Sequence, residues 1–238
     1  MIYAGILAAG QGVRMHRQDM PKQFLQLGEK PIIIHTLEQF FMNSGIGRIV
    51  IVAPDEWKVY TEDLLARYKL TGKELTVISG GVNKTESIGF VVRHIENTSG
   101  IKDGDILIAH DAIRPFITQR LIDDHISSAQ VFGAANTAIV TNDAILVSRG
   151  RNILDEVPPH EHMYAQQTPQ SYSLIKLKNT LEKAEASGVS LARENELPRL
   201  WLNAGHKMCL IRGEYFNMKI INPYDLEVAN ALIKERKI

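Results

Sequence analysis

The amino-acid sequence predicts an α/β fold, a Rossmann-like, doubly wound and mainly parallel sheet, and three observations support this prediction. Apolar runs of strand length alternate with stretches of helical period up to residue 132, which is typical of βαβ units. The chain has 238 residues, 45% of them hydrophobic, which is enough to bury one α/β core. No internal repeat, low-complexity tract or linker divides the sequence. We therefore expect residues 1–238 to form a single domain.

The predicted elements follow the order βαβαβαβα up to residue 132. Apolar runs bounded by polar residues predict strands at residues 2–7, 48–52, 75–79 and 106–110. Apolar residues at helical spacing predict helices at residues 31–42, 56–68, 85–95 and 118–132. Pro31 fits the first turn of the first helix, and Thr118 fits the N-cap of the fourth. Farther along, we expect helices at residues 174–186 and 223–237 and strand-like segments at residues 207–211 and 217–221.

Residues 136–168 break this regular alternation and are interpreted as an inserted β-arm, called the arm below. Short alternating runs, Gly150 and the Pro158-Pro159 pair interrupt any helix there. A polar, proline-containing hairpin has little core of its own. We therefore expect the arm to protrude and to pack on a second subunit, which makes a homodimer.

Composition excludes several classes of protein. Lys and Arg total 27, and so do Asp and Glu, so there is no net charge to attract nucleic acid or a membrane surface over long range. The single cysteine, Cys209, excludes an intrachain disulfide framework and any multi-cysteine metal site. No signal peptide precedes the first strand and no apolar run is long enough to span a bilayer. The expectations are a cytoplasmic location and no nucleic-acid or membrane partner.

The first segment that carries chemistry is residues 7–15, with the sequence LAAGQGVRM, directly after the first strand. Small residues at the carboxyl end of a parallel strand let backbone amides approach a ligand, and a nucleotide is the natural candidate. Gly10 and Gly12 lack the third glycine of a dinucleotide site and the Lys-Ser/Thr pair of a P-loop. Arg14 and Lys22 add cations suited to phosphate. The alternatives are a tight strand-to-helix turn and a solvated basic surface.

A second segment, residues 79–87, also joins a strand to a helix. Gly80 and Gly81 allow a sharp turn, and helix N-termini bind anions. Thr85 or Ser87 could instead cap the helix.

The third segment is HDAIRP, residues 110–115, at the end of the fourth strand. Asp111 is a candidate Mg²⁺ ligand, because Mg²⁺ takes one or two carboxylates and completes its shell with phosphate and water. A structural pair between Asp111 and Arg114 is the alternative, and His110 is interpreted as a packed core residue. His160 and His162 are spaced like metal ligands but lack a third partner. Strand alternation would turn Lys219 toward the cleft.

Six segments, in this order, resemble motifs of the IspD/TarI cytidylyltransferase family: LAAG-x-G-x-RM, PKQF, GG-x-x-K-x-x-S, HDA-x-RP, QTPQ and NMKI-x-x-PYDL. The resemblance covers residues 1–233. Members of this family join CTP to methylerythritol 4-phosphate or to ribitol 5-phosphate. Four stretches look more like the ribitol branch, namely residues 1–4, 110–118, 163–164 and 222–230. That branch would make CDP-ribitol and pyrophosphate for cell-wall or capsule polymers.

The resemblance implies a role for each matching residue. The residues that would hold cytidine and its phosphates are Leu7, Ala8, Ala9, Gly10, Gly12, Gly80, Gly81, Lys84, Ser87 and Ala112. Arg14 and Lys22 would stabilise the transition state, and Asp111 would bind Mg²⁺. Lys219 and Arg114 would bind the acceptor phosphate, joined by His160 from a neighbouring subunit.

The acceptor half departs from the family pattern. His160 replaces an Arg, Ala144 a Thr and Asn136 an Asp, and Glu196 stands nearest an acid of a missing T-D-A or T-D-E segment. A neutral His is a weaker phosphate partner than Arg. Alternatives therefore stay open: a methylerythritol 4-phosphate enzyme, a catalytically weakened nucleotide-binding homologue, or a sugar-1-phosphate nucleotidyltransferase that uses UTP or dTTP.

Overall fold

The computed structural model describes residues 1–10, 20–70, 72–150 and 152–236. The strands are β1 Ile2–Leu7, β2 Gln26–Leu27, β3 Lys30–Pro31, β4 Arg48–Ala53, β5 Glu74–Ser79, β6 Ile106–Asp111, β7 Ala134–Val140, β8 Tyr164–Ser173 and β9 Cys209–Arg212. The helices are α1 Ile32–Met42, α2 Lys58–Arg67, α3 Lys84–Ser99, α4 Gln119–Phe132, α5 Leu174–Ala186, α6 Leu197–Asn203 and α7 Pro223–Arg236. Within these described ranges, no helix is both long and apolar enough to cross a bilayer.

The central sheet has the strand order β5-β4-β1-β6-β8-β7-β9. Only β8 runs antiparallel to its neighbours in this described sheet, because the β1–β4, β1–β6, β4–β5 and β7–β9 pairs are parallel. This confirms the predicted mainly parallel α/β class. The pairing of β1 with β6 places Leu7 beside Asp111. The first loop and the candidate metal ligand therefore start from adjacent positions at the carboxyl edge of the sheet, where ligands bind in such folds.

Both faces of the sheet are buried. Neighbouring residues of β6 enter opposite cores: Ile108 packs with α1, α2 and α4, whereas Leu107 packs with α3, α5 and α6. Continuous apolar runs were predicted for this reason, since a parallel strand covered by helices on both sides has no polar face. A third, smaller cluster under α7 joins Ile113 to Ile220. It packs the segment after β6 against the segment that carries Lys219.

The predicted strand at residues 217–221 is wrong. The last strand of the described residues ends at Arg212, a turn follows at residues 215–216, and residues 217–221 have no regular secondary structure and belong to no sheet ladder. The backbone N–H of Ile220 donates to the Ile113 carbonyl at 2.9 Å. Asn217 and Ile220, three positions apart, are the buried residues of this segment, and they pack across the end of the sheet. The β2–β3 hairpin and α6 were not predicted at all.

Residues at both ends of the arm belong to the central sheet, as parts of β7 and β8. The connection between them, residues 141–163, contains the isolated bridge between Val147 and Glu156 and the short 3₁₀ helix His160–His162. Its apolar side chains point into solvent: Leu146, Ile153 and Leu154 are all more than half exposed. Several exposed apolar side chains on one connection are typical of a surface that another chain covers.

Buried His125 joins α4 to the β7–β8 ladder. Its Nε2 lies 2.7 Å from Thr137 Oγ1, and because that hydroxyl donates to the Pro169 carbonyl, Nε2–H must donate to it. Ser171 Oγ lies 2.8 Å from Nδ1 and 3.2 Å from the His125 carbonyl, and in this tautomer its proton goes to Nδ1, the nearer acceptor. Both ring nitrogens are therefore satisfied in the neutral form. Burial lowers the pKa of His125 from 6.5 to about 3.

We expect this histidine to make stability pH-dependent. The unfolded imidazole takes up a proton below pH 6.5, whereas the folded one stays neutral until about pH 3. The contribution of neutral His125 to the free energy of unfolding is therefore complete above pH 6.5. It decreases as the pH falls, by about 2 kcal/mol at pH 5. When unfolding by urea is measured at pH 7 and at pH 5, the free energy of unfolding of His125→Gln should change between the two by about 2 kcal/mol less than that of the wild type. His162→Gln, on the exposed 3₁₀ helix, is the control, and an unchanged pH dependence in His125→Gln would contradict the assignment.

Candidate active site

A cleft of about 360 Å³ opens at the carboxyl edge of the sheet. It is lined by Leu7, Ala8, Ala9, Gly10, Lys22, Gln23, Gly81, Val82, Asn83, Lys84, Ser87, Asp111, Ile113, Lys219 and Ile221. Its walls come from the segments that follow β1, β5 and β6, from the short 3₁₀ helix Lys22–Phe24 and from the segment before α7. The three glycine-rich or acidic segments singled out in the sequence therefore meet at one place.

Most of the predicted site residues line this cleft, and the others fall into three groups. Gly80, Ala112 and Arg114 are neighbours of lining residues but do not line the cleft themselves. His160 lies on the connection between β7 and β8 and is likewise not part of the lining. Gly12 and Arg14 lie outside the described residues.

The first loop is fixed by hydrogen bonds on both sides. Ala8 N–H donates to the Val52 carbonyl at 2.7 Å, and Ala112 N–H donates to the Leu7 carbonyl at 3.0 Å. The Gln23 side chain donates to the Ala8 carbonyl and ties this loop to the segment that carries Lys22. The backbone of Leu7 and Ala8, where the loop begins, is therefore held in place at the cleft.

Gly80 is required by the close approach of two loops. A Cβ atom at this position would lie 2.2 Å from the Cβ of Ala9 and 3.1 Å from Val52 Cγ1. Any larger residue would push the β5 loop away from the β1 loop. The sequence indicated a sharp turn at Gly80, and the structure adds that the glycine lets the two loops pack together.

The cap of α3 is Asn83, not Thr85 or Ser87. Asn83 Oδ1 accepts from Glu86 N–H at 2.9 Å, and Asn83 Nδ2 donates to the Leu191 carbonyl at 2.9 Å. Ser87 instead accepts from Gly81 N–H at 3.1 Å and so shapes the loop. All three residue types can cap a helix, and the tertiary bond to the loop before α6 decides in favour of Asn83.

Three cations surround Asp111 at the cleft. Lys219 Nζ lies 3.0 Å and Arg114 Nε 3.4 Å from Oδ2, and Lys84 Nζ lies 3.9 Å from Oδ1. The carboxylate is buried, and the side chain of Lys84 is only 25% exposed. One carboxylate therefore faces three positive groups, which leaves an excess of positive charge directed at whatever enters the cleft.

Competing effects set the protonation of this group. Burial alone would raise the pKa of Asp111, but Lys84, Lys219 and Arg114 together hold it below the usual value. Burial lowers the pKa of Lys84, and the attraction of Asp111 opposes that change. Asp111 is therefore ionised at neutral pH.

Arg114 and His110 are built into the wall behind the cleft. Arg114 Nη1 donates to the Asn217 carbonyl at 2.7 Å in addition to its contact with Asp111. His110 Nε2 lies 3.1 Å from the Arg114 carbonyl, and burial lowers the pKa of His110 to about 3. The interpretation of His110 as a packed core residue agrees with this geometry. The Asp111–Arg114 pair, which the sequence left open as an alternative, is present.

Sequence reasoning missed part of the lining. Gln23, Val82, Asn83, Ile113 and Ile221 all face the cleft but were not among the predicted site residues. Each lies within two residues of a predicted position, so extending the motifs by two residues on either side would have found them.

The donor set at Asp111 fits a metal ion that arrives with a phosphate ligand. Among the described residues, no group of three His, Cys, Asp or Glu side chains could enclose a metal. Oδ2 is engaged by Lys219 and Arg114, whereas Oδ1 faces Lys84 at the longer distance of 3.9 Å. A single carboxylate oxygen at a cleft lined by cations suits Mg²⁺, which keeps several water or phosphate ligands.

Comparison with known families decides the class of protein. The sequence matches the profile described as "IspD: 2-C-methyl-D-erythritol 4-phosphate cytidylyltransferase" over residues 2–235. The chain belongs to the IspD family. It is therefore a cytidylyltransferase, one of the nucleotidyltransferases, as the resemblance of its motifs implied.

Solved structures of IspD enzymes share the fold over nearly the whole chain. The 4-diphosphocytidyl-2C-methyl-D-erythritol synthase of Anaerococcus prevotii superposes with a TM-score of 0.80 at 22% identity, covering 98% of this chain and 96% of that one. The 2-C-methyl-D-erythritol 4-phosphate cytidylyltransferase of Thermus thermophilus gives 0.74 at 22% identity, covering 98% and 100%. The enzyme of that name from Francisella tularensis gives 0.77 at 22% identity, covering 97% and 98%. At these identities the likeness establishes the fold alone.

Proposed function

We propose that this IspD-family enzyme transfers CMP from CTP to D-ribitol 5-phosphate and releases CDP-ribitol and pyrophosphate. The observation that carries the proposal is the cluster of Lys84, Arg114 and Lys219 around Asp111 in a cleft walled by two glycine-containing loops. Such a reaction brings a phosphate monoester against a triphosphate, and both are anions. Fixed cations offset the repulsion between them.

In this proposal the loops hold the nucleotide and the cations hold the phosphates. Residues 7–10 and 80–87 present backbone groups and small side chains to cytidine and its phosphates. Lys22, which also lines the cleft, stabilises the charge that develops at the α-phosphorus, and Lys219 binds the acceptor phosphate. No side-chain nucleophile is needed, because the acceptor phosphate attacks directly. Mg²⁺, held by Asp111, would neutralise the triphosphate and the leaving pyrophosphate.

The choice of ribitol 5-phosphate is supported by the sequence of particular segments. Residues 1–4, 110–118, 163–164 and 222–230 resemble the ribitol branch of the family more than the methylerythritol branch. Residues 110–118 include Asp111 and Arg114, so the resemblance reaches into the site. Cell-wall or capsule polymer synthesis in the cytoplasm would then consume the product.

A homodimer through the arm is part of the same proposal. The apolar side chains of Leu146, Ile153 and Leu154 are exposed on a protruding connection. In a dimer they would be covered, and His160 of one chain could reach the acceptor half of the other site. The solution mass of the purified protein, compared with that of Leu154→Glu, tests this arrangement.

Methylerythritol 4-phosphate is the second candidate acceptor, and the family match favours it. The matching profile and the three solved structures all carry the methylerythritol name. His160, Ala144 and Glu196 depart from the family pattern in the acceptor half. An activity assay with both polyol phosphates therefore has to choose between them.

The proposal predicts pyrophosphate release from CTP and Mg²⁺ with ribitol 5-phosphate and not with methylerythritol 4-phosphate. Turnover with methylerythritol 4-phosphate instead would overturn the choice of acceptor and keep the reaction class. Protection against heating by CTP without turnover on either polyol would indicate a weakened nucleotide-binding homologue. Stronger protection by UTP or dTTP than by CTP would point to a sugar-1-phosphate nucleotidyltransferase.

A further inference from the structure

We propose that Asn217 is a positioning residue that holds Lys219 and Asp111 at a fixed separation. The kinetic effects expected below rest on the proposed function. The structural link from Asn217 to Lys219 and Asp111 rests on the geometry alone. Asn217 does not line the cleft, and its side chain is fully buried. It lies two residues before Lys219, in the segment that was expected to be a strand.

Hydrogen bonds join Asn217 to β8 through its side chain, with Gln167 Oε1 at 3.4 Å as one acceptor, and to two other segments through its backbone. Its side-chain Nδ2 donates to the Thr168 backbone carbonyl at 2.8 Å, and its own backbone carbonyl accepts from Arg114 Nη1 at 2.7 Å. Its backbone N–H donates to the Glu214 carbonyl at 3.0 Å. The residue thus joins the Lys219 segment to β8 and to the segment after β6.

The same two partners of Asn217 contact Asp111. Thr168 Oγ1 accepts from Asp111 N–H at 3.1 Å, and Arg114 Nε lies 3.4 Å from Asp111 Oδ2. Two separate routes therefore run from Asn217 to Asp111, one through Thr168 to its backbone N–H and one through Arg114 to its carboxylate. A shift of Asn217 would move Lys219 directly and Asp111 through both routes.

This arrangement explains how Lys219 is held without a strand. A strand would fix the side chain through its ladder, but residues 217–221 have no ladder. Asn217 anchors one end of the segment, and the bond from Ile220 N–H to the Ile113 carbonyl anchors the other. Lys219 lies between these two anchors, 3.0 Å from Asp111.

The test is Asn217→Ala, in which the side-chain anchor is lost. We expect the KM for the acceptor and the Mg²⁺ concentration for half-maximal activity to rise roughly tenfold each. The KM for CTP should stay within about twofold, since neither residues 7–10 nor residues 80–87 share a described hydrogen bond with Asn217. Amide hydrogen exchange, which needs no substrate, should speed up in residues 110–114 and 217–221 together.

Asn43→Ala is the matched control. Asn43 is also a buried asparagine, and its side chain bonds Gln119, Asp123 and the Gly45 backbone between α1 and α4, away from the cleft. Asn43→Ala should lower the free energy of unfolding and leave both the KM for the acceptor and the Mg²⁺ requirement unchanged. Asn217→Ser, a smaller perturbation, and Thr168→Val, which removes only the acceptor for Asp111 N–H, extend the test if Asn217→Ala folds poorly. Thr168→Val should raise the Mg²⁺ requirement alone.

Two results would overturn the positioning role. One is an equal rise in the KM for CTP in the Asn217 variants, which would indicate general loosening. The other is unchanged hydrogen exchange at residues 110–114 when Asn217 is substituted. A wild-type protein without activity on polyol phosphates would refute the proposed function, but the exchange result would still decide the structural link.

Discussion

Asp111→Asn is expected to lower turnover by about a thousandfold, because the substitution removes the carboxylate that would bind Mg²⁺ at the cleft. The side chain keeps its size and one oxygen, so the shape of the site is preserved. What changes is the charge: Lys84, Arg114 and Lys219 would face each other without an anion between them. Steady-state pyrophosphate release with CTP and Mg²⁺ measures the loss.

The same substitution should strengthen the binding of pyrophosphate and weaken the stability of the fold. Without a metal, pyrophosphate should bind about tenfold more tightly, because an unneutralised cluster of cations attracts it more strongly. The free energy of unfolding at pH 7 should fall by about 2 kcal/mol, since a buried carboxylate between cations is lost. The pKa of Asp111 lies below its unfolded value, so this stabilisation is present above about pH 4 and is lost as the pH falls. Wild type and variant should therefore converge in acid.

Asp105→Asn is a matched control for these effects. Asp105 is a buried carboxylate that pairs with the N-terminal amine at 2.7 Å, away from the cleft. It should lose stability and keep its turnover. Tighter pyrophosphate binding in Asp105→Asn, or full turnover in Asp111→Asn, would contradict the account of the cation cluster.

The part of the site that sequence predicts well is the part encoded in contiguous segments at strand ends. Residues 7–10 and Asp111 follow or end the buried strands β1 and β6, and residues 80–87 follow the partly exposed edge strand β5. The parallel pairs β1–β6, β1–β4 and β4–β5 bring the carboxyl ends of these strands to one edge. Periodicity predicts such strands because both faces are covered by helices. A local signal was therefore sufficient to predict that these segments meet at one cleft.

The part that sequence predicts poorly depends on contacts distant in the chain. Lys219 was placed at the cleft by assuming strand alternation, whereas the structure holds it through Asn217 and Ile220. The cap of α3 is chosen among three suitable residues by a bond from Asn83 to Leu191, 108 positions away. No local pattern records these partners. Arg114, expected to bind substrate, has its guanidinium engaged by Asp111 and Asn217, and its contact with substrate stays a prediction.

Lys22→Ala is expected to lower kcat by roughly a thousandfold and to change the KM for CTP only slightly. Lys22 begins the 3₁₀ helix Lys22–Phe24, and Phe24 is buried with its ring stacked on Trp57 at 5.3 Å. A backbone fixed in this way holds the ammonium group at the cleft before substrate binds. A preorganised cation stabilises the transition state more than the ground state, since negative charge increases there, so the loss should affect kcat.

The fold should tolerate this change, which separates catalysis from stability. The anchoring side chains of this segment are those of Gln23 and Phe24, and both remain in Lys22→Ala. Lys30→Ala is the control, because Lys30 lies on β3, pairs with Glu38 and does not line the cleft. It should keep wild-type kcat. Stopped assays of pyrophosphate release measure kcat, and circular dichroism melting of each variant measures stability. Near-normal turnover in Lys22→Ala would remove Lys22 from the mechanism and leave Arg14 and Lys219 as the cations to test.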